Sequence, residues 1–155
     1  MITTQQEIQI MLPVHDVVSL LRDQNHFKNW QKGLVSFKNL TSSIGERGSK
    51  RRMKIKVAGT IISMTEEILE KDLPHFWKAA YRSRGVLNVQ ENRFRESVTQ
   101  ENKETTTWSS TSTFKFTGMM RLVAKARPEV FTGQTLSFMN DFKTFAEEHL
   151  TNEKT

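Results

Sequence analysis

The chain contains no cysteine. That absence excludes disulfide staples, thiolate nucleophiles and cysteine-ligated metals, and it suits a reducing compartment. No window approaches the roughly 18 apolar residues needed to span a bilayer. The first twelve residues, MITTQQEIQIML, lack both the basic leader and the long apolar stretch of a secretion signal. No GxGxxG, phosphate loop, GxSxG elbow or HExxH is found. His15, His26, His75 and His149 fall at no ligand spacing. These absences lead us to expect no metal, no cofactor, no membrane insertion and a cytoplasmic location.

What is there describes an ordinary globule. The 155 residues suit one domain over 1–155 better than two. Large apolar types are plentiful, with ten Phe, seven Met and three Trp. Such a mix can build a core, and it can also line an adaptable pocket. The net charge of +6 is concentrated in sequence: residues 46–56 hold six basic side chains against Glu46 alone. The rest of the chain is close to neutral, so a general polyanion-coating role is not expected.

Alternation and period then give the elements. Ile8, Ile10 and Leu12 share one parity, as in a half-buried strand, until Pro13 ends it and opens a helix. Val14, Val17, Val18 and Leu21 recur at helical spacing. After Trp30 and Gly33, LVSFKNLT reads as a second strand. KRRMKIKV (50–57) follows, and its alternation puts Lys50, Arg52, Lys54 and Lys56 on one face and Met53, Ile55 and Val57 on the other. A turn at Ala58–Thr60 leads to a return strand where Ile62, Met64, Glu66 and Ile68 share a face. Three more strands are predicted, carrying Trp77, Ala79 and Tyr81, then VQENRFRESV, then Trp108, Ser110, Ser112, Phe114 and Phe116 on one side. After Gly118 a short helical turn precedes Pro128, which restarts a long amphipathic helix. Its apolar stripe is Phe131, Thr135, Phe138, Met139, Phe142, Phe145 and Ala146, with Leu136 on the polar side as a candidate contact for a second copy. The architecture predicted is α+β, one sheet face packed on one helix face.

The order of VHDVVSLL, FKNWQKGLVSF, TEEI with LPHFW, GVLNVQENRF, WSSTSTFKFTGMM and the terminal FMNDFKTFAEE resembles the START-like (SRPBCC) superfamily in its polyketide-cyclase/dehydrase-like branch. The resemblance covers nearly the whole chain. It implies a helix-grip fold: a curved antiparallel sheet of about seven strands wrapped around the long C-terminal helix, with two short helices after strand 1 and a cavity between sheet and helix. Relatives bind lipids, sterols, quinones, hormones or polyketides, and some are cyclases or dehydratases. No universal catalytic residue carries over.

On that frame, the inward set Met53, Ile55, Met64, Trp77, Tyr81, Phe94, Trp108, Phe114, Phe138 and Met139 is core or pocket wall. Glu66 shares their face, where an unpaired carboxylate is costly. It either pairs with a base near the open end, is turned outward by a bulge, or serves as a polar anchor or acid/base in a pocket. Asn88, Tyr81, Ser110 and Ser112 could hydrogen-bond a ligand, and the serines could equally bond one another or trapped water. The basic row of 50–56 lacks the interleaved aromatics of nucleic-acid grips, so a wet outer face is expected and no nucleic acid.

Three functions remain in play. One is a binding module for a small hydrophobic or amphipathic ligand (lipid, quinone or polyketide-like), as monomer or homodimer. The second is a cyclase or dehydratase using Glu66 or Tyr81 as acid/base. The third is a protein or ribosome interaction domain using strand 50–56.

Overall fold

A computed structural model describes residues 1–57 and 59–153, with side chains to residue 150. The turn predicted at Ala58–Thr60 is described at Gly59 and Thr60; Ala58 lies outside the described residues. Seven strands form one antiparallel sheet in the order β1-β7-β6-β5-β4-β3-β2. They are β1 (Ile2–Ile10), β2 (Leu34–Asn39), β3 (Lys50–Val57), β4 (Thr60–Asp72), β5 (Phe76–Ser83), β6 (Val86–Val98) and β7 (Glu104–Phe116). Five α-helices accompany them: α1 (Val14–Arg22), α2 (Phe27–Trp30), α3 (Met120–Ala126), α4 (Glu129–Thr132) and α5 (Gln134–Glu153).

Local chemistry explains most boundaries. Pro13 caps α1, where its missing N–H costs nothing, and the Asp23 carboxylate accepts from the Asn25 N–H to start the 3₁₀ turn at Gln24–His26. In β1 and β3 every second residue is inward, as the alternation requires. Outward stand Lys50, Arg52, Lys54 and Lys56, while Met53 is buried beneath. Gly85 joins β5 to β6 with φ 75°, a conformation side chains resist, and a Cβ there would press on the Met120 side chain.

The core lies between the concave sheet face and the helices. Trp108, Phe142, Ile10, Met139 and Val17 are fully buried in it, with Val14, Val18, Phe27, Trp30 and Phe94 around them. A smaller cluster of Phe114, Ala124 and Phe131 closes the sheet under α3.

Two expectations about the C-terminal helix are corrected. The helix restarted by Pro128 is not continuous: α4 ends at Thr132 and α5 begins after Gly133. Downstream, the buried line runs Thr135, Met139, Phe142 and Ala146, at the spacing of a narrow helical seam. Phe138 falls on its flank at 37% exposure, with its ring 4.6 Å from that of Trp30. Leu136, placed on the polar side from sequence, is half-buried.

Candidate functional site

Strand register lines up one residue from each strand across the concave face. Ile2, Phe114, Asn88, Tyr81, Glu66, Arg51 and Asn39 are successive partners from β1 through to β2. Five of the seven are polar, a file of side chains on a face that is otherwise oily. Its middle is an ion pair: Arg51 Nη2 lies 2.9 Å from Glu66 Oε1 and 3.0 Å from Oε2, with the side chains 11% and 13% exposed. The Arg51 guanidinium also sits 4.4 Å above the Phe27 ring, a cation–π contact.

Burial of such a pair is tolerable because each charge compensates the other's lost hydration. Tyr81 completes the group. It stands opposite Glu66 in the register, and its pKa stands well above the ordinary phenol value. Desolvation is the main cause and the Glu66 charge the next, with Arg51 opposing. The phenol thus keeps its proton at neutral pH. At the other end of the file, the Asn39 and Gln24 amides exchange hydrogen bonds of 2.9 and 3.0 Å. Among the described residues the buried Arg51 Nε and Asn88 Oδ1 have no hydrogen-bond partner.

A cavity of about 80 Å³ opens onto this file. The helical side supplies Leu21, Arg22, Gln24 and Phe27; the sheet supplies Arg51, Glu66, Ile68, Lys71 and Trp77. The segment 40–49 forms the outer wall, with Ser43, Ile44 and Gly45 facing in. Several contacts hold it, among them Ile68 N–H donating to Ser49 O at 3.0 Å. Gly48 N–H donates to Ile68 O at 2.7 Å, Arg22 Nη2 to Gly45 O at 2.7 Å, and Lys71 Nζ to Glu46 Oε1 at 2.6 Å. The Lys71 hydrogen bond and charge hold the Glu46 carboxyl below its ordinary pKa.

The oily hollow expected midway between sheet and helix is corrected by this geometry. The space there is filled by Trp108, Phe94, Met139 and Phe142, in ring contacts of 5.6 Å (Phe94–Trp108) and 5.8 Å (Trp108–Phe142). The cavity lies instead to one side, between α1, the 40–49 segment and β3–β5. Of the candidates named from sequence, Glu66 and Trp77 line it, and Tyr81 and Asn88 continue the file beside it. Met53, Phe94, Trp108, Phe114 and Met139 are packed core; Ile55 and Met64 lie half-buried near the β3–β4 turn. Ser110 Oγ is buried without a partner among the described residues, next to Asn92, whose Oδ1 accepts from Trp108 Nε1 at 3.0 Å.

Sequence reasoning missed Arg51 as a site residue. The parity that sends Lys50 and Arg52 outward sends Arg51 inward, so the signal was present but lay hidden in a run of like charges. The other wall residues, Leu21, Arg22 and 43–45, come from a helix end and a loop, where no period points the way. Among the described residues no group of three or more His, Asp or Glu is placed to hold a metal ion, and no helix is long and apolar enough to cross a membrane.

A seven-stranded antiparallel sheet curved onto a long C-terminal helix, with its cavity on the concave side, is a helix-grip fold of the START-like (SRPBCC) class. The chain belongs to the polyketide cyclase / dehydrase and lipid transport family, whose profile matches residues 1–143. Among curated proteins, none matches it. Among solved structures it is similar to TTHA0849 from Thermus thermophilus, with a TM-score of 0.74 at 16% identity over 94% of this chain and 97% of that one. It is also similar to the Zhui aromatase/cyclase from a Streptomyces species, with a TM-score of 0.68 at 13% identity over 96% and 95%. Norcoclaurine synthase from Thalictrum flavum, solved with dopamine and hydroxybenzaldehyde, gives 0.68 at 13% over 96% and 87%. At such identities the likeness is one of fold.

Proposed function

We propose that the protein binds a small amphipathic molecule bearing an acidic or strongly hydrogen-bond-accepting head. The apolar part lies against Leu21, Phe27, Ile68 and Trp77, and the head meets the Arg51–Glu66 pair. The observation that carries this is the lining itself: Arg22, Arg51 and Lys71 line the cavity, with Glu66 as their acidic counterpart. A site so biased towards positive charge favours an anion, and a phenol, quinone or polyketide-like enol fits that chemistry.

Size sharpens the proposal. Pockets for drug-sized ligands usually span about 300–1,000 Å³. A cavity of about 80 Å³ admits a ring-sized fragment, and anything of lipid length requires the wall at 40–49 to swing outward. The test is native mass spectrometry of the purified protein for a co-purified small molecule, followed by a thermal-shift screen with aromatic acids, quinones and fatty acids. A ligand at 100 times its dissociation constant adds about 2.7 kcal/mol of stability. If none co-purifies and none shifts melting, the reading fails.

A catalytic reading, of cyclase or dehydratase type, draws support from the Tyr81–Glu66 contact. It sets a phenol that keeps its proton beside the carboxylate paired with Arg51. Incubation with a bound ligand would then yield a product of altered mass, lost in Tyr81→Phe while binding persists.

A further inference from the structure

Basic side chains outnumber acidic ones at one end of this molecule. Antiparallel register gathers there the start of β1, the β3–β4 turn, the β5–β6 turn and the end of β7 leading into α3. Residues 1–6, 54–57, 59–64, 81–90 and 112–127 build that end, and they hold eight basic side chains and no Asp or Glu. All eight are exposed. The acids that border these segments are engaged: Glu7 accepts from Ser109 at 2.9 Å, Glu91 lies 3.4 Å from Lys78, Glu129 is paired with Arg127 at 3.1 Å, and from the sheet face Glu67 reaches Arg82 at 3.9 Å. Lys54 and Lys56, the last two cations of the basic strand, are joined here in three dimensions by cations from distant segments.

The same end carries apolar side chains the core does not use. Helix α3 has two apolar faces: Met120 and Ala124 point inward, while Met119, Leu122 and Val123 point outward at 76%, 62% and 39% exposure. Met1 at 84% and Ile61 at 58% add to the outward set. Beside α3 runs an open cleft of about 530 Å³, floored by Ile2, Phe116 and Ala124 and rimmed by Lys115, Arg121 and Lys125. Every large apolar side chain exposed here is aliphatic. Single-stranded nucleic acid is held by exposed aromatics on which bases stack, and none stands here among the described residues. Aliphatic tips within a collar of Lys and Arg are instead the chemistry of interfacial helices on anionic lipid.

We propose that this end of the molecule docks peripherally on an anionic bilayer surface. Met119, Leu122 and Val123 enter the boundary between headgroups and acyl chains, and Arg121, Lys125, Lys115 and Arg84 face the lipid phosphates. The docking is shallow and spans nothing, so it is compatible with the short apolar runs of the sequence. It does not rest on the Arg51 cavity, which is lined towards the other end of the strands.

The test is co-sedimentation of the intact protein with vesicles of phosphatidylcholine alone or with 30 mol% phosphatidylglycerol, a composition chosen on the order of a bacterial or cytoplasmic anionic leaflet. Binding is expected to the anionic vesicles and to weaken steadily as salt shortens the screening length. Each cation near the surface strengthens binding roughly fivefold, so Arg121→Gln with Lys125→Gln is expected to weaken it roughly 25-fold. Leu122→Asp, at an exposed position and with melting unchanged, is expected to abolish it. Failure of the wild type to bind anionic vesicles at low salt overturns the proposal, as does equal binding to neutral vesicles or indifference to both variants. A solution dimer dissolved by Leu122→Asp would assign the patch to a second copy. RNA binding lost in the Arg121/Lys125 variant, without vesicle binding, would assign it to nucleic acid. Either result overturns membrane docking.

Discussion

Arg51 and Glu66 show how a charge survives on an oily face. Each is about nine-tenths buried, and each is held by the other. Removing one partner of a buried pair typically costs about 3–5 kcal/mol, because the survivor stays desolvated and uncompensated. Since the pair keeps slight contact with solvent at the cavity, Arg51→Met is expected at the lower end, about 3 kcal/mol by urea unfolding. Arg51→Met with Glu66→Met removes both charges and should recover most of that loss. A double variant no more stable than the single would mean that the pair is not compensating burial. Tyr81 adds a pH signature. Its folded-state pKa is raised, so its contribution is fully present below the unfolded phenol value of 10.0 and is lost as pH rises through that value towards the higher folded one. Stability should therefore fall above about pH 10, and Tyr81→Phe should make that decline shallower relative to wild type.

At the scale of elements, the 40–49 segment is the wall that a ligand longer than the recess would have to displace. Its outer tie is the exposed Lys71–Glu46 pair. Because the Glu46 carboxyl is held below its ordinary value of 4.5, the tie is intact above that pH and is lost as pH falls through the lower folded value. Amide protection in 40–49, taken relative to the intrinsic exchange rate at each pH, should fall below pH 4.5, and Glu46→Gln should show that lower protection already at neutral pH. Exchange unchanged in the variant would leave Gly45 and Gly48 as the ties that matter. The β5–β6 turn is rigid by contrast. Gly85→Ala puts a side chain at φ 75° against Met120, and a loss of about 1–3 kcal/mol is expected, with α3 displaced.

Elements were also where the sequence was most legible. Alternation gave β1 and β3 their faces because one side of each meets water, and Pro13 and Pro128 marked helix starts by their missing N–H. Phe138 was misplaced because a stripe drawn at every apolar residue is wider than the seam that α5 buries, and helical spacing cannot tell flank from centre. Gly133 was read through, since a single glycine inside an amphipathic pattern does not itself mark where one helix ends and the next begins.

For the whole molecule, fold and function separate. The family and the likeness to a cyclase and a synthase describe a scaffold that holds many chemistries. Large aromatics that could have lined a central hollow fill it, and the room left is a small, cation-rich recess beside Arg51. The sequence could not reveal this, because Trp108 or Phe94 as core and as pocket wall have the same pattern; only the volume between elements tells them apart. Filling the recess should leave the fold intact. Ile68→Trp, at the half-buried cavity wall, is expected to change stability by less than about 1.5 kcal/mol while excluding any occupant.

The most direct measurement is an NMR titration of isotope-labelled protein with small aromatic acids and phenols, following the Arg51 Nε–H and the backbone amides of Phe27, Glu66 and Trp77. Saturable shifts centred on those groups, absent in Ile68→Trp, are the predicted result. Shifts scattered over the surface, or a recess that stays silent to every anion while wild type and variant behave alike, would contradict it.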